Sequence, residues 1–248
     1  MDHRAGCGFP AGGVAVVTGA SSGVGRAIAL ELARQGAMLL LLGRKRVALE
    51  TVAGEVRHKA RVVEIHNFDL TVREDIQKFV GAVTKTQGRV DALIHSAGVI
   101  ALGTLESSPV EDLEWQLNTN VIAPYALTRA LLPLLKSGKG QVVCINSTAG
   151  IQADAGVAQY AATKHALRAF TNSLRQEVNA DSVRVLSVFL GRTATPMQQA
   201  IHAQEGKPYH SERLIQPEDV AAVVVNALSL PRTAEVTEIH MRPFLKPL

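Results

Sequence analysis

The chain has 248 residues, of which 47% are apolar and 19% are charged, and its 26 Lys and Arg against 22 Asp and Glu give a net charge of +4. This composition is typical of a globular protein and excludes disordered, collagen-like and coiled-coil chains. Two cysteines cannot form a disulfide framework, and no apolar run near the N-terminus suits a signal core or a membrane span, so we expect a cytoplasmic protein without membrane contacts.

Short apolar segments alternate with amphipathic segments along the whole chain. Strands are predicted at 13–18, 37–42, 61–66, 90–95, 140–146, 183–189 and 236–241. Helices are predicted at 23–35, 45–58, 71–87, 109–136, 157–179 and 217–229. Runs such as Val14–Val17 and Met38–Leu42 lack apolar/polar alternation, as expected for strands buried on both faces of a parallel sheet. The pattern therefore predicts an α/β fold with a doubly wound sheet and right-handed crossovers.

No linker divides the chain. Residues 1–11 are predicted to form a loose N-terminal arm, and residues 12–248 a single domain. The segment 191–215 is the one long stretch without a strand pattern, and its Gly and Pro residues favour a loop. Loops of this length are often functional, so we expect this segment to form a mobile substrate lid.

A glycine-rich turn joins the first strand to the first helix. Its Gly-x-x-x-Gly-x-Gly spacing lets the backbone approach a pyrophosphate, and the helix N-terminus then faces the anion. Three glycines can also form a bare tight turn, but the strand–turn–helix context favours a nucleotide. The expected cofactor contacts in this turn are Gly19, Ser21, Ser22, Gly23, Val24 and Gly25.

Arg44 follows the second strand, where an acidic residue would hydrogen-bond the adenosine ribose of NAD. A guanidinium at this position can instead bind a 2′-phosphate through two hydrogen bonds. The alternative is a solvated basic helix start, which is a reasonable interpretation of Lys45 and Arg46. Arg44 therefore predicts NADP(H) as the cofactor.

Tyr160 and Lys164 lie four residues apart at the start of a predicted helix, so their side chains share one face. A nearby cation favours the phenolate, and we therefore expect Lys164 to lower the pKa of Tyr160. Such a pair is common on ordinary helices. Ser147 strengthens the functional interpretation because it ends an apolar strand, and ligands bind at the carboxyl ends of strands in such sheets.

Together these motifs resemble the short-chain dehydrogenase/reductase family in both order and spacing. They are Thr18–Gly25, Asp69–Leu70, His95–Gly98, Asn120, Ser147 and Tyr160–Lys164. The resemblance implies a single Rossmann-like domain with a seven-stranded parallel sheet of order 3-2-1-4-5-6-7. It also implies a catalytic tetrad of Asn120, Ser147, Tyr160 and Lys164, with Asn120 holding a water that connects Lys164 to solvent.

The resemblance implies further cofactor contacts, with Asp69 at the adenine and Thr195 at the nicotinamide amide. The remaining expected contacts are Leu70, Ser96, Ala97, Gly98, Gly191 and Thr193, together with Tyr160 and Lys164. The chain departs from the family where His95-Ser96 replaces the usual Asn-Asn and where Leu190-Gly191 replaces Pro-Gly. Its C-terminus resembles the branch of NADP-dependent 3-hydroxy acid and serine dehydrogenases.

We therefore expect an NADP(H)-dependent oxidoreductase that interconverts a small carbonyl compound and a secondary alcohol. Pocket walls are predicted from Ile151, Val157, Met197, Ile201 and Tyr209. One alternative is a catalytically silent dinucleotide-sensing regulator or scaffold with the same fold. Nucleic-acid binding is disfavoured because the basic residues are scattered along the chain. A metal site is not expected either, because the histidines show no metal-ligand spacing. Surplus apolar residues on two helices predict a homodimer or homotetramer. They lie on helix 109–136 (Leu127, Ala130, Leu131 and Leu134) and on helix 157–179 (Ala166, Phe170 and Leu174).

Overall fold

The computed structural model describes residues 9–245 and contains a seven-stranded parallel sheet flanked by helices. The strand order β3-β2-β1-β4-β5-β6-β7 confirms the predicted fold class and topology. The strands are β1 (Val14–Thr18), β2 (Met38–Gly43), β3 (Val62–Asn67), β4 (Ala92–His95), β5 (Gln141–Ser147), β6 (Arg184–Leu190) and β7 (Glu238–Met241).

Eight α-helices connect the strands. They are α1 (Gly23–Arg34), α2 (Arg46–Val56), α3 (Arg73–Thr86), α4 (Val110–Leu117), α5 (Ala123–Gly138), α6 (Ala158–Val178), α7 (Pro196–Gln204) and α8 (Pro217–Leu228). The predicted helix 109–136 is confirmed as helical backbone from Val110 to Gly138, but a π-helical turn at Asn118–Ile122, which was not predicted, divides it into α4 and α5. Helix α7 was not predicted, because its segment was interpreted as a loop.

Two apolar layers cover the two faces of the sheet. On one face Ile28 of α1 and Val224 of α8 belong to a buried cluster that includes Val17 of β1. On the other face Leu131 of α5 belongs to a second cluster, which includes Val16 of the same strand. Because successive residues of β1 enter opposite layers, the strand has no polar face, which explains the missing alternation in the sequence.

The strand order reverses beside β1, which pairs with β2 on one side and β4 on the other. The connections from β1 and β4 leave the sheet in opposite directions at this point, so a crevice forms at the carboxyl ends of the strands. Asp91 joins β1 and β4 at the amino ends of the two strands, since its carboxylate accepts a hydrogen bond of 2.7 Å from the Val14 N–H. The glycine turn and the end of β4 therefore face each other across the crevice.

Two segments were predicted to lack regular structure, the N-terminal arm and residues 191–215. In the predicted N-terminal arm, residues 1–8 lie outside the described residues, and Phe9 is buried in the core with 3% of its surface exposed. The segment 191–215 contains α7 and a short 3₁₀ turn at Ser211–Arg213. Its ends are joined as an isolated parallel bridge, with Ala194 N–H donating to Ile215 O at 2.8 Å and Ile215 N–H donating to Arg192 O at 3.1 Å.

Within residues 9–245, none of the helices has both the length and the apolar character needed to cross a membrane.

Candidate active site

A cleft of about 660 Å³ lies at the carboxyl ends of the strands and brings most of the predicted site residues together. The predicted residues that line it are Gly19, Ser21, Ser22, Gly23, Val24, Arg44, Asp69, Leu70, Ser96, Ala97, Gly98, Ser147, Tyr160, Lys164, Gly191, Thr193 and Thr195. Two predicted residues, Gly25 and Asn120, are buried beneath the wall instead. Their contribution to the site is therefore indirect.

The glycine turn forms a narrow floor at one end of the cleft. Gly19 has a φ of +64°, and a Cβ there would lie 2.8 Å from the Ala97 nitrogen. A Cβ on Gly25 would lie 2.5 Å from the Gly19 carbonyl oxygen, so this glycine permits α1 to pack against the turn. Ser22, the N-cap of α1, makes no side-chain capping bond, which leaves the first helical N–H groups available to an anion.

Thr18 ties the glycine turn to the end of β4, a role that the sequence analysis did not assign. Its Oγ1 accepts hydrogen bonds of 3.1 Å from both the Ser96 and Ala97 N–H groups and donates to Ile94 O at 3.2 Å. His95, which replaces the usual Asn, is buried and lies 2.7 Å through Nε2 from Thr128 Oγ1. Burial lowers the pKa of His95 to about 3, so this imidazole is neutral and anchors the strand end to α5.

Arg44 lies at the opposite rim, with 61% of its side chain exposed and its Nη1 4.0 Å from Asp69 Oδ2. Asp69 is held in place by Thr71, whose N–H and hydroxyl donate to Oδ1 at 2.9 and 2.8 Å. At 4.0 Å between exposed groups, the Arg44–Asp69 pair contributes little to stability. The Arg44 guanidinium therefore remains accessible to an anionic ligand in the cleft.

Ser147, Tyr160 and Lys164 meet in the middle of the cleft. Ser147 ends β5 and accepts a hydrogen bond of 3.2 Å from the Ala149 N–H, while Tyr160 and Lys164 lie on the first turns of α6. The Tyr160 phenol is hydrogen-bonded to Ser147. The Lys164 ammonium lies 5.6 Å from the centroid of the Tyr160 ring and donates to Ile145 O at 3.1 Å.

The pKa of Tyr160 is raised above its usual value, although Lys164 was expected to lower it. Burial raises the pKa of the phenol to about 12, and the hydrogen bond with Ser147 opposes this only in part. Burial also lowers the pKa of Lys164 to about 8. The prediction is wrong for this structure because the ammonium is bound to the Ile145 carbonyl and desolvation outweighs its attraction for the phenolate. Tyr160 is therefore a protonated donor near neutral pH.

Asn120 lies in the π-helical turn and is 1% exposed. Its Oδ1 accepts from the Val99 N–H at 2.9 Å, and its Nδ2 donates to Val99 O at 2.9 Å and to Thr163 Oγ1 at 3.1 Å. Both amide protons are thus used to join the loop after β4 to α6. The predicted bridging water would have to use the second lone pair of Oδ1 or the backbone carbonyl of Asn120.

Asn146 positions two of the central residues, although the sequence analysis did not select it. It is 3% exposed, its Nδ2 donates to Lys164 O at 3.1 Å, and its Oδ1 accepts from the Ser147 N–H at 2.8 Å. A Cβ on Gly150 would lie 2.7 Å from this Oδ1, so Gly150 leaves the room that Asn146 needs. A polar residue inside an otherwise apolar strand was the signal available in the sequence.

The other half of the cleft is mostly apolar. Three of the predicted wall residues, Val157, Met197 and Ile201, line it, whereas Ile151 and Tyr209 do not. Tyr209 instead packs edge-on against the His202 ring, with 5.3 Å between the centroids. Thr195 caps α7 by accepting a hydrogen bond of 3.2 Å from the Gln198 N–H. Charged lining in this half comes from Asp154, Arg192 and Glu205.

Across residues 9–245, no group of three or more His, Cys, Asp or Glu side chains is arranged to hold a metal ion.

Comparison with known proteins agrees with this geometry. The family model of the short chain dehydrogenases matches residues 13–206. An uncharacterized oxidoreductase of Staphylococcus epidermidis is 34% identical over 231 residues, which cover 93% of this chain and 96% of that protein.

Solved structures with similar folds cover almost the whole chain. An alcohol dehydrogenase from the archaeon Thermococcus sibiricus, complexed with 5-hydroxy-NADP, has a TM-score of 0.86 and 29% identity over 95% of this chain and 98% of its own. The serine dehydrogenase of Escherichia coli has a TM-score of 0.81 and 26% identity over 95% of this chain and 100% of its own. These two matches are of comparable quality, so they leave the branch within the family open.

Proposed function

The chain belongs to the short chain dehydrogenase family, and we propose that it is an NADP(H)-dependent oxidoreductase that interconverts a carbonyl compound and a secondary alcohol. One observation carries this proposal. The Ser147–Tyr160 hydrogen bond and the Lys164 ammonium share a single cleft with an open, glycine-lined helix N-terminus. A cleft of this kind can hold a phosphorylated cofactor and a proton donor side by side.

The described residues fit a nicotinamide dinucleotide. The approach of Gly19 to the Ala97 nitrogen leaves no room for a side chain, and the uncapped first turn of α1 offers N–H groups to a pyrophosphate. The Thermococcus sibiricus structure holds a 5-hydroxy derivative of NADP in the same fold. Arg44 favours NADP(H) over NAD(H), since its exposed guanidinium can bind a 2′-phosphate and no acid occupies that position.

When bound, reduced nicotinamide supplies the hydride for the reduction of the carbonyl carbon. Ser147 hydrogen-bonds the carbonyl oxygen, and Tyr160 transfers its proton to that oxygen as negative charge develops. Burial that holds the pKa of Tyr160 at about 12 keeps the phenol protonated until this step. Lys164, when protonated, stabilises the phenolate that remains, and with the cofactor bound it would also donate to the ribose hydroxyls.

A catalytically silent sensor is the competing function. Such a protein needs the dinucleotide site but gains nothing from a Ser147–Tyr160 hydrogen bond or from an ammonium buried beside the phenol. Burying the Lys164 ammonium is costly, as the lowering of its pKa to about 8 shows. The presence of this group at the centre of the cleft therefore favours turnover.

The experiment compares the parent protein with Tyr160→Phe and Ser147→Ala on a panel of ketones, diketones, hydroxy acids and sugars. NADPH binding is followed by fluorescence. Tyr160→Phe removes only a hydroxyl, so NADPH binding should persist while turnover falls at least about 100-fold, the low end for a positioned proton donor. Near-parental turnover in Tyr160→Phe would refute the mechanism. A parent that binds NADPH but reduces no compound would favour the sensor.

A further inference from the structure

Arg192 and Glu205 form a closed ion pair in the substrate half of the cleft. Arg192 Nη1 donates to Glu205 Oε2 at 2.9 Å, and Nη2 donates to Oε1 at 2.8 Å. Both side chains line the cleft, yet only 30% and 23% of their surfaces are exposed. Arg192 Nη1 also donates a hydrogen bond of 3.4 Å to His202 Nε2. Both terminal nitrogens of Arg192, Nη1 and Nη2, therefore already donate hydrogen bonds within the protein.

This ion pair lies close to the reacting groups. Ser147 is the register partner of Leu190 in the β5–β6 ladder, and Arg192 follows Leu190 by two residues. Neighbouring strands are about 4.8 Å apart and two residues extend about 7 Å, so a carbonyl at Ser147 places a substituent of a few atoms near Arg192. Without Glu205, Arg192 would be well placed to bind the carboxylate of an oxo acid or hydroxy acid.

No other cation of the described cleft can take that role. Arg44 and Lys45 follow β2, which is four strands from β6, or about 19 Å across the sheet. The Lys164 ammonium is bound to Ile145 O beside Tyr160. Asp154 adds a second acid to the wall of the cleft. The wall that meets the substrate is thus neutral to negative, with apolar side chains over most of its area.

We propose that Glu205 determines substrate specificity by neutralising Arg192, so that the cleft selects uncharged carbonyl or alcohol compounds and rejects carboxylates. This inference rests on the proposed function. A substrate carboxylate would have to displace the Glu205 carboxylate from Nη1 and Nη2 of Arg192 and would meet the charges of Glu205 and Asp154. The hydrogen bonds from Arg192 hold the pKa of Glu205 below its usual value, so the pair persists through the neutral pH range.

Lys207 offers Glu205 a second cationic partner. Its Nζ lies 3.2 Å from Glu205 Oε2 and is on the solvent side, with 51% of the side chain exposed. If Glu205 moved fully to Lys207, Arg192 would be released to bind a carboxylate and the parent protein would accept oxo acids. The present geometry, with two bonds from Arg192 and one contact from Lys207, favours the closed pair.

The test uses 2-oxo, 3-oxo and 4-oxo acids, each paired with its methyl ester, so that the two members of a pair differ in charge. The kcat/KM ratio of ester to acid is measured with NADPH for the parent, Glu205→Gln, and Glu205→Gln combined with Arg192→Leu. Glu212→Gln is the matched control, because it removes an acid of the same segment whose side chain is 70% exposed and is absent from the cleft wall.

The parent should prefer the ester at least about tenfold. Glu205→Gln should shift the ratio toward the acid by at least about tenfold, because one charge-assisted bond to the freed guanidinium accounts for such a factor. The double variant should lose this shift, and Glu212→Gln should not show it. Comparable parental activity on both members, or an unchanged ratio in Glu205→Gln with normal ester turnover, would overturn the inference.

Binding separates this inference from the proposed function. The melting temperature of each protein is measured with acid or ester, with and without NADP⁺. If the parent reduces neither compound, the proposed function fails, while selective stabilisation of Glu205→Gln by the acid still supports the specificity role of Glu205. Equal stabilisation of the parent and Glu205→Gln by the acid, or no selective stabilisation of Glu205→Gln, would overturn that role.

Discussion

A methyl group added at Gly25 tests whether contact between α1 and the glycine turn shapes the nucleotide site. The Cβ of Gly25→Ala would lie 2.5 Å from the Gly19 carbonyl oxygen, 2.9 Å from the Gly19 carbonyl carbon and 3.1 Å from the Thr18 carbonyl oxygen. All three atoms belong to the backbone, so no side chain can rotate away. The helix must move away from the turn by several tenths of an ångström.

The expected cost follows from this overlap. Overpacking of a closely packed site costs about 1–3 kcal/mol, and the better helix propensity of Ala returns up to about 1 kcal/mol. Gly54→Ala, in α2, is the matched control, because a Cβ there meets no atom within 4 Å. That change should raise the free energy of unfolding by about 0.5–1 kcal/mol, so the difference between the two variants reports the steric clash.

Urea unfolding and NADPH fluorescence titration provide the two measurements. Gly25→Ala should unfold at least about 1 kcal/mol more easily than Gly54→Ala. It should also bind NADPH at least about tenfold more weakly, because the displaced turn no longer presents its N–H groups to the pyrophosphate. Equal stabilities and equal NADPH affinities in the two variants would refute the role of this contact.

Four further outcomes are expected. Arg44→Ala should weaken the use of NADPH by roughly tenfold or more and leave NADH nearly unchanged, and equal losses in steady-state assays would remove Arg44 from the phosphate site. Burial lowers the pKa of Lys164 to about 8 in the folded protein, whereas it is 10.5 in the unfolded chain, so the parent should gain stability relative to Lys164→Met between these pH values. Urea unfolding measures this difference in stability, and a difference that does not change with pH would contradict the burial of the ammonium. Limited proteolysis should cut segment 191–215 in the free protein and spare it with NADP⁺, so identical cleavage would argue against a lid. Light scattering should give two or four times the chain mass of 26.4 kDa, since Trp115 and Tyr125, on either side of the π-helical turn, are 42% and 53% exposed. A monomer at micromolar concentration would exclude the proposed oligomer.

The oligomer prediction was made from the wrong residues. The 3.6-residue spacing along helix 109–136 predicts surplus exposed apolar side chains that include Leu127 and Leu131, but both are fully buried against the sheet. Besides Val110 at the start of α4, the exposed large apolar side chains of this stretch are Trp115, Ile122 and Tyr125, which lie at and beside the π-helical turn. The extra residue in that turn rotates the following helix, and a regular period of 3.6 residues cannot reveal this change.

The strands were predictable because their signal is local. Continuous apolar runs such as Leu39–Leu42 define buried strands, and the predicted bounds lie within about two residues of those observed. The π-helical turn was not predictable in this way, since Asn120 makes its hydrogen bonds to Val99 and Thr163, which are distant in sequence. Helix α7 did carry a local signal, with Thr195 as its N-cap and Pro196 in its first turn.

The chemistry of the site was predictable as a set of residues but not as a set of proton affinities. The order and spacing of the motifs predicted that Ser147, Tyr160 and Lys164 share one cleft, and all three line the cleft in the structure. The pKa of Tyr160 depends on how much water the folded chain removes from the phenol and on where the ammonium binds. Both quantities arise from tertiary packing, so residue identity alone gave the wrong direction.

The bridge between Thr193 and Ile215 has a consequence for how this protein can diversify. Because the two ends of the segment are fastened to each other, residues between them can be inserted, deleted or exchanged without moving β6 or α8. Doubling the length of such a closed loop costs only about 0.6 kcal/mol in chain entropy. The residues between Thr193 and Ile215 can thus be exchanged as a unit. New substrate preferences can evolve or be engineered in this segment while Ser147, Tyr160 and Lys164 keep their positions.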